Sequence, residues 1–183
     1  TSDKIEVEVI EKGSTGFLGI KSKPAIIKAR KKNDTVDNIR EFLENVFSAM
    51  NMEVTIDIKK AEDDKVYEVE LSGKEMGLLI GKRGQTLDSL QYLTNLAVNK
   101  HSDGYIKVKL DTEDYRQRRK DTLENLAKNI AYKVKRTKRP VSLEPMNPFE
   151  RRVIHSALQG DRYVETHSEG EEPFRHVVVT LKK

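Results

Sequence analysis

The 183-residue sequence predicts an α+β chain organised as three small domains rather than one large core. Three observations carry this. Hydrophobic residues make up 36% of the chain and charged residues 35%, a balance that fills small cores beneath wide solvated faces. The apolar periodicity switches repeatedly between two and helical spacing. A basic stretch at Arg30-Lys31-Lys32-Asn33-Asp34 and a tight junction between Leu110 and Thr112 set boundaries at 1–32, 33–110 and 111–183.

The first segment reads as a small β-rich unit. Ile5, Val7 and Val9 alternate with Glu6 and Glu8, the pattern of a half-buried strand. Gly13 to Gly19 forms a glycine-punctuated loop carrying Phe17 and Leu18, and Ala25 to Ala29 gives a second strand. Two strands are marginal by themselves, so this unit either lacks upstream residues or packs on something else.

Residues 35–50 predict an amphipathic helix capped by Asp34 or Thr35, with Val36, Ile39, Leu43, Val46, Phe47 and Met50 at helical spacing. Strands follow at Val54–Ile58 and Val66–Leu71, joined by the acidic turn Glu62-Asp63-Asp64. A short helix near Glu75–Ile80 runs into Gly81-Lys82-Arg83-Gly84, and a longer helix follows from Gln85 to about Asn99. Its expected apolar stripe is Leu87, Leu90, Leu93, Leu96 and Ala97. Tyr105, Ile106, Val108 and Leu110 give a last strand.

Residues 112–136 predict a long helix with Leu123, Leu126, Ala127, Ile130, Ala131 and Val134 inward. Its outer face is expected to carry Arg116, Arg118, Arg119, Lys120, Lys128, Lys133 and Lys135. A short strand at Val141-Ser142-Leu143 leads to a helix from about Pro148 to Leu158, stopped by Gly160. Strands at Tyr163–Thr166 and His176–Leu181 complete the third domain.

The charge is unevenly distributed. The net +4 conceals −7 over residues 33–75, +3 over 76–110 and +5 over 111–139. The positive excess around the glycine loop and after it points to a polyanion partner. The plainer alternative is a set of solvated helix faces.

Two signatures give that polyanion a chemistry. In Gly81-Lys82-Arg83-Gly84, two glycines without Cβ would let a sugar-phosphate chain approach, and two cations would meet its phosphates. The loop is not a P-loop: three residues rather than four separate Gly77 from Gly81, and Arg83 stands where a magnesium-binding Ser or Thr is needed. The loop and the surrounding helix–strand–strand–helix–loop–helix–strand order resemble the type II KH domain, whose GxxG loop clamps about four nucleotides. That resemblance implies RNA contacts from Gly81, Lys82, Arg83 and Gly84, over a groove floor formed by Leu79, Ile80 and nearby residues of the strand Val54–Ile58.

The second signature is Arg151 and His155, four residues apart and so on one helix face, which could be open with Val153, Ile154 and Leu158 turned elsewhere. An arginine fork and an imidazole N–H can grip one phosphate, with Lys138 or Arg139 in support. Arg152 points in another direction on the helix and is left out of this set. A structural alternative pairs Arg151 with Glu150 or Asp161. The spacing and the helix–strand–helix–strand–strand order resemble the R-three-H domain, a single-strand-binding module, and Ser168–Arg175 resembles its hairpin loop.

Taken with Gly16-Phe17-Leu18-Gly19 in the first unit, the layout resembles the Jag family across essentially the whole chain. These are the SpoIIIJ-associated proteins, also called KhpB or EloR. The resemblance implies a cytoplasmic RNA-binding regulator of bacterial cell elongation, division or sporulation. Single-stranded RNA is the expected ligand, with single-stranded DNA left open. It further implies partnership with a small KH-domain protein. The Phe17–Leu18 loop could dock a membrane-associated partner, or merely complete a small core.

Other chemistry has little support. The sequence contains no cysteine, and His101, His155, His167 and His176 lack a second metal ligand at suitable spacing, so neither metal nor cofactor is expected. No apolar run approaches the roughly 18 residues of a membrane span. No catalytic serine elbow is present. A nuclease using His155 with a lysine, and a scaffold whose basic faces bind acidic proteins, remain as alternative readings.

Overall fold

The structure, a computed structural model, describes residues 5–13, 24–31, 34–100, 102 and 104–182. The expected docking loop with Phe17 and Leu18, and part of the basic stretch after Lys31, lie outside the described residues. By proximity the chain forms two compact units. One comprises Thr1–Met76 and Asp88–Leu110; the other comprises Gly77–Leu87 and Asp111–Lys183.

In the first unit, β1 (Ile5–Glu11) pairs antiparallel with β2 (Ile26–Lys31), with a register shift between Val9 and Glu11. Val9, Ile10, Ile26 and Ile27 are exposed. Helix α1 (Thr35–Ala49) starts at Asp34, whose carboxylate accepts the Val36 amide at 2.9 Å and satisfies an otherwise unpaired donor. Ile39, Leu43 and Phe47, one helical turn apart, are its buried face.

Strands β3 (Val54–Lys60) and β4 (Val66–Gly73) are antiparallel, and β5 (Lys107–Asp111) completes a sheet in the order β3-β4-β5. Burial alternates along them. Ile56, Tyr67, Val69, Leu71, Val108 and Leu110 are buried, while Glu68, Glu70, Lys107 and Lys109 face solvent.

Helix α3 (Gln85–Asn99) differs from its expected phase. Leu87, Leu90, Thr94 and Val98 are buried, whereas Leu93 and Leu96 are half exposed. The cause is a ladder of amides. Asn95 donates to the Val108 carbonyl and accepts the Val108 amide, both at 2.8 Å. Asn99 does the same with Ile106 at 2.7 Å, and Gln91 accepts the Leu110 amide at 2.9 Å. Residues 91, 95 and 99 recur every four positions and lie on one helix face. Serving the backbone of β5 with that face turns Leu93 and Leu96 toward water.

In the second unit, α2 (Met76–Ile80) leads into a 3₁₀ turn at Lys82–Gly84. Helix α4 (Tyr115–Thr137) and helix α5 (Pro148–Leu158) cover a sheet of β6 (Val141–Ser142), β7 (Val164–Glu169) and β8 (His176–Leu181), in the order β6-β8-β7. Leu123, Ala127, Ala131 and Val134 of α4 join Val153, Ile154 and Leu158 of α5 and Val164, Val177 and Val179 of the sheet in one core. Leu126, expected inward, is partly exposed.

Two cations expected on the outer face of α4 instead tie the fold together. Arg119 reaches the buried Glu150, with Nε at 2.8 Å and Nη2 at 2.6 Å from Oε1. Lys135 binds Asp161 at 2.6 Å. Glu150 also closes a capping box with Asn147, which fixes the start of α5. Among the described residues, no helix is long and apolar enough to cross a membrane.

Candidate nucleic-acid interface

Both glycines of the loop are required by their immediate surroundings. Gly81 has φ +67°, and a Cβ there would lie 2.0 Å from the Thr86 hydroxyl oxygen. Gly84 has φ +81° and is buried, and a Cβ there would lie 2.7 Å from the Tyr115 ring. The absent Cβ atoms therefore make room for the Thr86 side chain and the Tyr115 ring.

The two cations between them differ. Lys82 is exposed and has no ion-pair partner among the described residues. Arg83, at φ +57°, donates Nη1 to the Pro145 carbonyl at 2.9 Å and forms an ion pair with Glu144. Its guanidinium, expected to meet a phosphate, is thus engaged by protein partners in this structure.

The expected groove floor is also revised. Leu79 is fully buried and cannot touch a ligand from that position. Ile80 is half-buried, and Leu78 is the exposed apolar residue of α2.

Arg151 is only 8% exposed, so the expected open face is in fact a closed one at this residue. Its Nη1 donates to the Met146 carbonyl at 2.8 Å and its Nη2 binds Glu172 at 2.6 Å. Neither Glu150 nor Asp161, the partners considered from sequence, holds it. His155, one turn on, has Nδ1 at 2.7 Å from the Thr166 hydroxyl and Nε2 at 2.9 Å from the Ser168 hydroxyl. Burial holds its pKa below the ordinary 6.5, and the charges of Arg151 and His167 push the same way. At neutral pH the ring is uncharged and orients two hydroxyls on β7.

A cleft of about 360 Å³ opens beside this pair. Arg151, Arg152 and His155 line it from α5, with Pro148 at the helix start. Ser168, Glu172 and Arg175 line it from β7 and the hairpin that follows. Three arginines around one concavity suit a phosphate chain. Lys138 and Arg139, expected in support, are exposed at the end of α4 and are not among the lining residues.

Sequence reasoning missed Arg152, Ser168, Glu172 and Arg175 as site residues. The signal that could have found three of them was the stretch Ser168–Arg175, whose chain folds back as the β7–β8 hairpin and pairs Glu169 with His176.

Residues 1–31 match the family described as Jag N-terminus, residues 37–110 that described as KhpA/KhpB, KH domain, and residues 121–181 the R-three-H domain. The chain is similar to the RNA-binding protein KhpB of Clostridium symbiosum, 67% identical over 183 residues, covering 100% of this chain and 82% of that protein. It is 40% identical to the RNA-binding protein KhpB of Bacillus subtilis over 186 residues, covering 100% of this chain and 88% of that one. Similarity to the RNA-binding protein KhpB of Lactiplantibacillus plantarum is 37% over 162 residues, covering 87% of this chain and 50% of the relative.

Proposed function

The chain belongs to the KhpB family of RNA-binding proteins, and we propose that it binds single-stranded RNA through Lys82 of the GxxG loop and through the arginine-lined cleft of the R-three-H domain. The observation that carries this is the convergence of Arg151, Arg152 and Arg175 on one cleft. The fixed loop backbone presents Lys82, and the cleft arginines meet phosphates; neutral His155 accepts a hydrogen bond from one of the Thr166 and Ser168 hydroxyls and donates its N–H to the other, which keeps its own proton for a ligand. Nothing in this arrangement asks for a catalytic step, and a non-enzymatic role is the reading it supports.

The test is fluorescence anisotropy of the full chain with labelled single-stranded RNA, duplex RNA and single-stranded DNA across a salt series. Single-stranded RNA should bind most tightly, and Arg152→Glu combined with Arg175→Glu should weaken it at least tenfold. Equal affinity for all three probes, unchanged by the substitutions, would refute the proposal.

A protein partner is favoured by a separate observation. Tyr92, Leu93 and Leu96 of α3 are exposed at helical spacing, an apolar face suited to a second folded protein such as the small KH-domain partner implied by the family resemblance. Cytoplasmic action on cell elongation, division or sporulation is the regulatory role consistent with that resemblance. Loss of the gene product with a cell-length readout would test it.

A further inference from the structure

Two phenylalanines adjacent in sequence to cleft residues are largely exposed. Phe149 is 60% exposed and Phe174 is 73% exposed. Exposed tyrosines are easily explained, since their hydroxyls are hydrated. Two of them here also carry cations over their rings: Lys135 lies 5.3 Å from the Tyr163 centroid, and Arg136 lies 5.9 Å from that of Tyr132. A phenylalanine has no polar handle, and exposing the whole ring costs the burial that its size would otherwise gain.

Their positions are specific. Phe149 follows Pro148, a lining residue of the cleft, and precedes Arg152 by three residues, so it shares a helix face with a cleft arginine. Phe174 lies between Glu172 and Arg175 in the β7–β8 hairpin, where its amide donates to the Glu171 carbonyl at 2.8 Å. Each phenylalanine is therefore within three residues of a cationic cleft residue, one on each of the two segments that form the cleft.

We propose that Phe149 and Phe174 are stacking platforms for unpaired nucleobases of the strand whose phosphates occupy the cleft. The proposal rests on the reading of the cleft as an RNA site and adds base contact to it. Arginines can hold the backbone of any polyanion. Flat apolar rings beside them select a polymer whose bases are free to splay out, which distinguishes a single strand from a duplex or a polyphosphate.

The experiment uses the full chain and two labelled oligoribonucleotides of equal length, one of uridines and one with abasic sites along its central half. Phe149→Ala and Phe174→Ala should each lose about fivefold or more in affinity for the uridine strand. Neither should change affinity for the abasic strand. Phe149→Leu and Phe174→Leu should behave like the alanine variants, and the tyrosine variants like the wild type, because the ring rather than apolar bulk makes the contact. Retained affinity of the alanine variants for uridines, or equal losses on both strands, would overturn the proposal. A wild-type chain that binds neither strand would overturn the RNA reading of the cleft, and this inference with it.

Discussion

Arg83 donates through Nη1 to the Pro145 carbonyl at 2.9 Å. The next carbonyl along the chain, that of Met146, accepts Nη1 of Arg151 at 2.8 Å. The segment Glu144–Met146 thus holds the arginine of the glycine loop and the arginine of the R-three-H helix through adjacent peptide units. The position of the loop and the geometry of the cleft share one support.

The division of labour within the loop follows. Lys82→Ala should weaken RNA binding and lower the salt slope by about 0.7, the loss of one single-strand phosphate contact. Arg83→Ala should leave the slope unchanged and lower the thermal midpoint, because its partners are Glu144 and Pro145. Anisotropy titrations at four salt concentrations with parallel thermal melts separate the two. A slope change for Arg83→Ala alone would reverse the assignment.

Glu172 places a carboxylate where a phosphate would meet Arg151. Its side chain is half exposed, and pairs of this kind contribute about 0–1 kcal/mol, so an incoming phosphate displaces it at small cost. Glu172→Gln should raise single-strand affinity by up to about fivefold at low salt. Weaker binding by this variant would mean that the carboxylate instead holds Arg151 in its productive position.

The lowered pKa of His155 makes stability depend on pH. In the unfolded chain the imidazole gains its proton near 6.5; in the folded chain it does so only at lower pH. Between those values the unfolded state binds more protons, so stability falls as pH drops through the window. Urea midpoints measured from pH 7.5 to 5 should fall for the wild type and less steeply for His155→Gln. Identical slopes would show that the ring is not the group responsible.

Glu150 is buried against Arg119 and caps α5. Glu150→Ala should cost about 3 kcal/mol, because it leaves the guanidinium without its partner and removes half of the capping box. Asn147→Ala, which removes only a cap, should cost about 1 kcal/mol. Denaturant unfolding of both variants tests the ranking, and equal costs would argue against the Arg119 pair as the larger contribution.

The order of helices and strands was legible because apolar spacing changes at almost every element, as at Ile39, Leu43 and Phe47 followed by Val66–Leu71. The phase of α3 was not. Leucines at 93 and 96 look like core, and only the strand served by Gln91, Asn95 and Asn99 explains why they face out. Arg151 and His155 could be paired from their spacing on one helix. Glu172 and Arg175 reach the same place through a hairpin, a distance in sequence that periodicity does not span. The glycines were read correctly as special positions, but the atoms that exclude a side chain are those of Thr86 and Tyr115.

The amide ladder of α3 has a consequence for how this sheet meets other chains. An unprotected edge strand is a template for a foreign β-segment, the route to strand-swapped dimers and fibrils. At Val108 of β5 and at Ile106 just before it, the Asn95 and Asn99 amides reproduce what a neighbouring strand would offer, donor and acceptor alike. Side-chain amides thus insulate this edge while the helix remains a helix. At the opposite edge, Arg40 donates to the Ile56 carbonyl at 3.1 Å and occupies one acceptor of β3. Replacing Asn95 and Asn99 by leucine would therefore do more than loosen a helix: it would uncover an adhesive strand, and the first symptom would be aggregation on storage rather than lost RNA affinity.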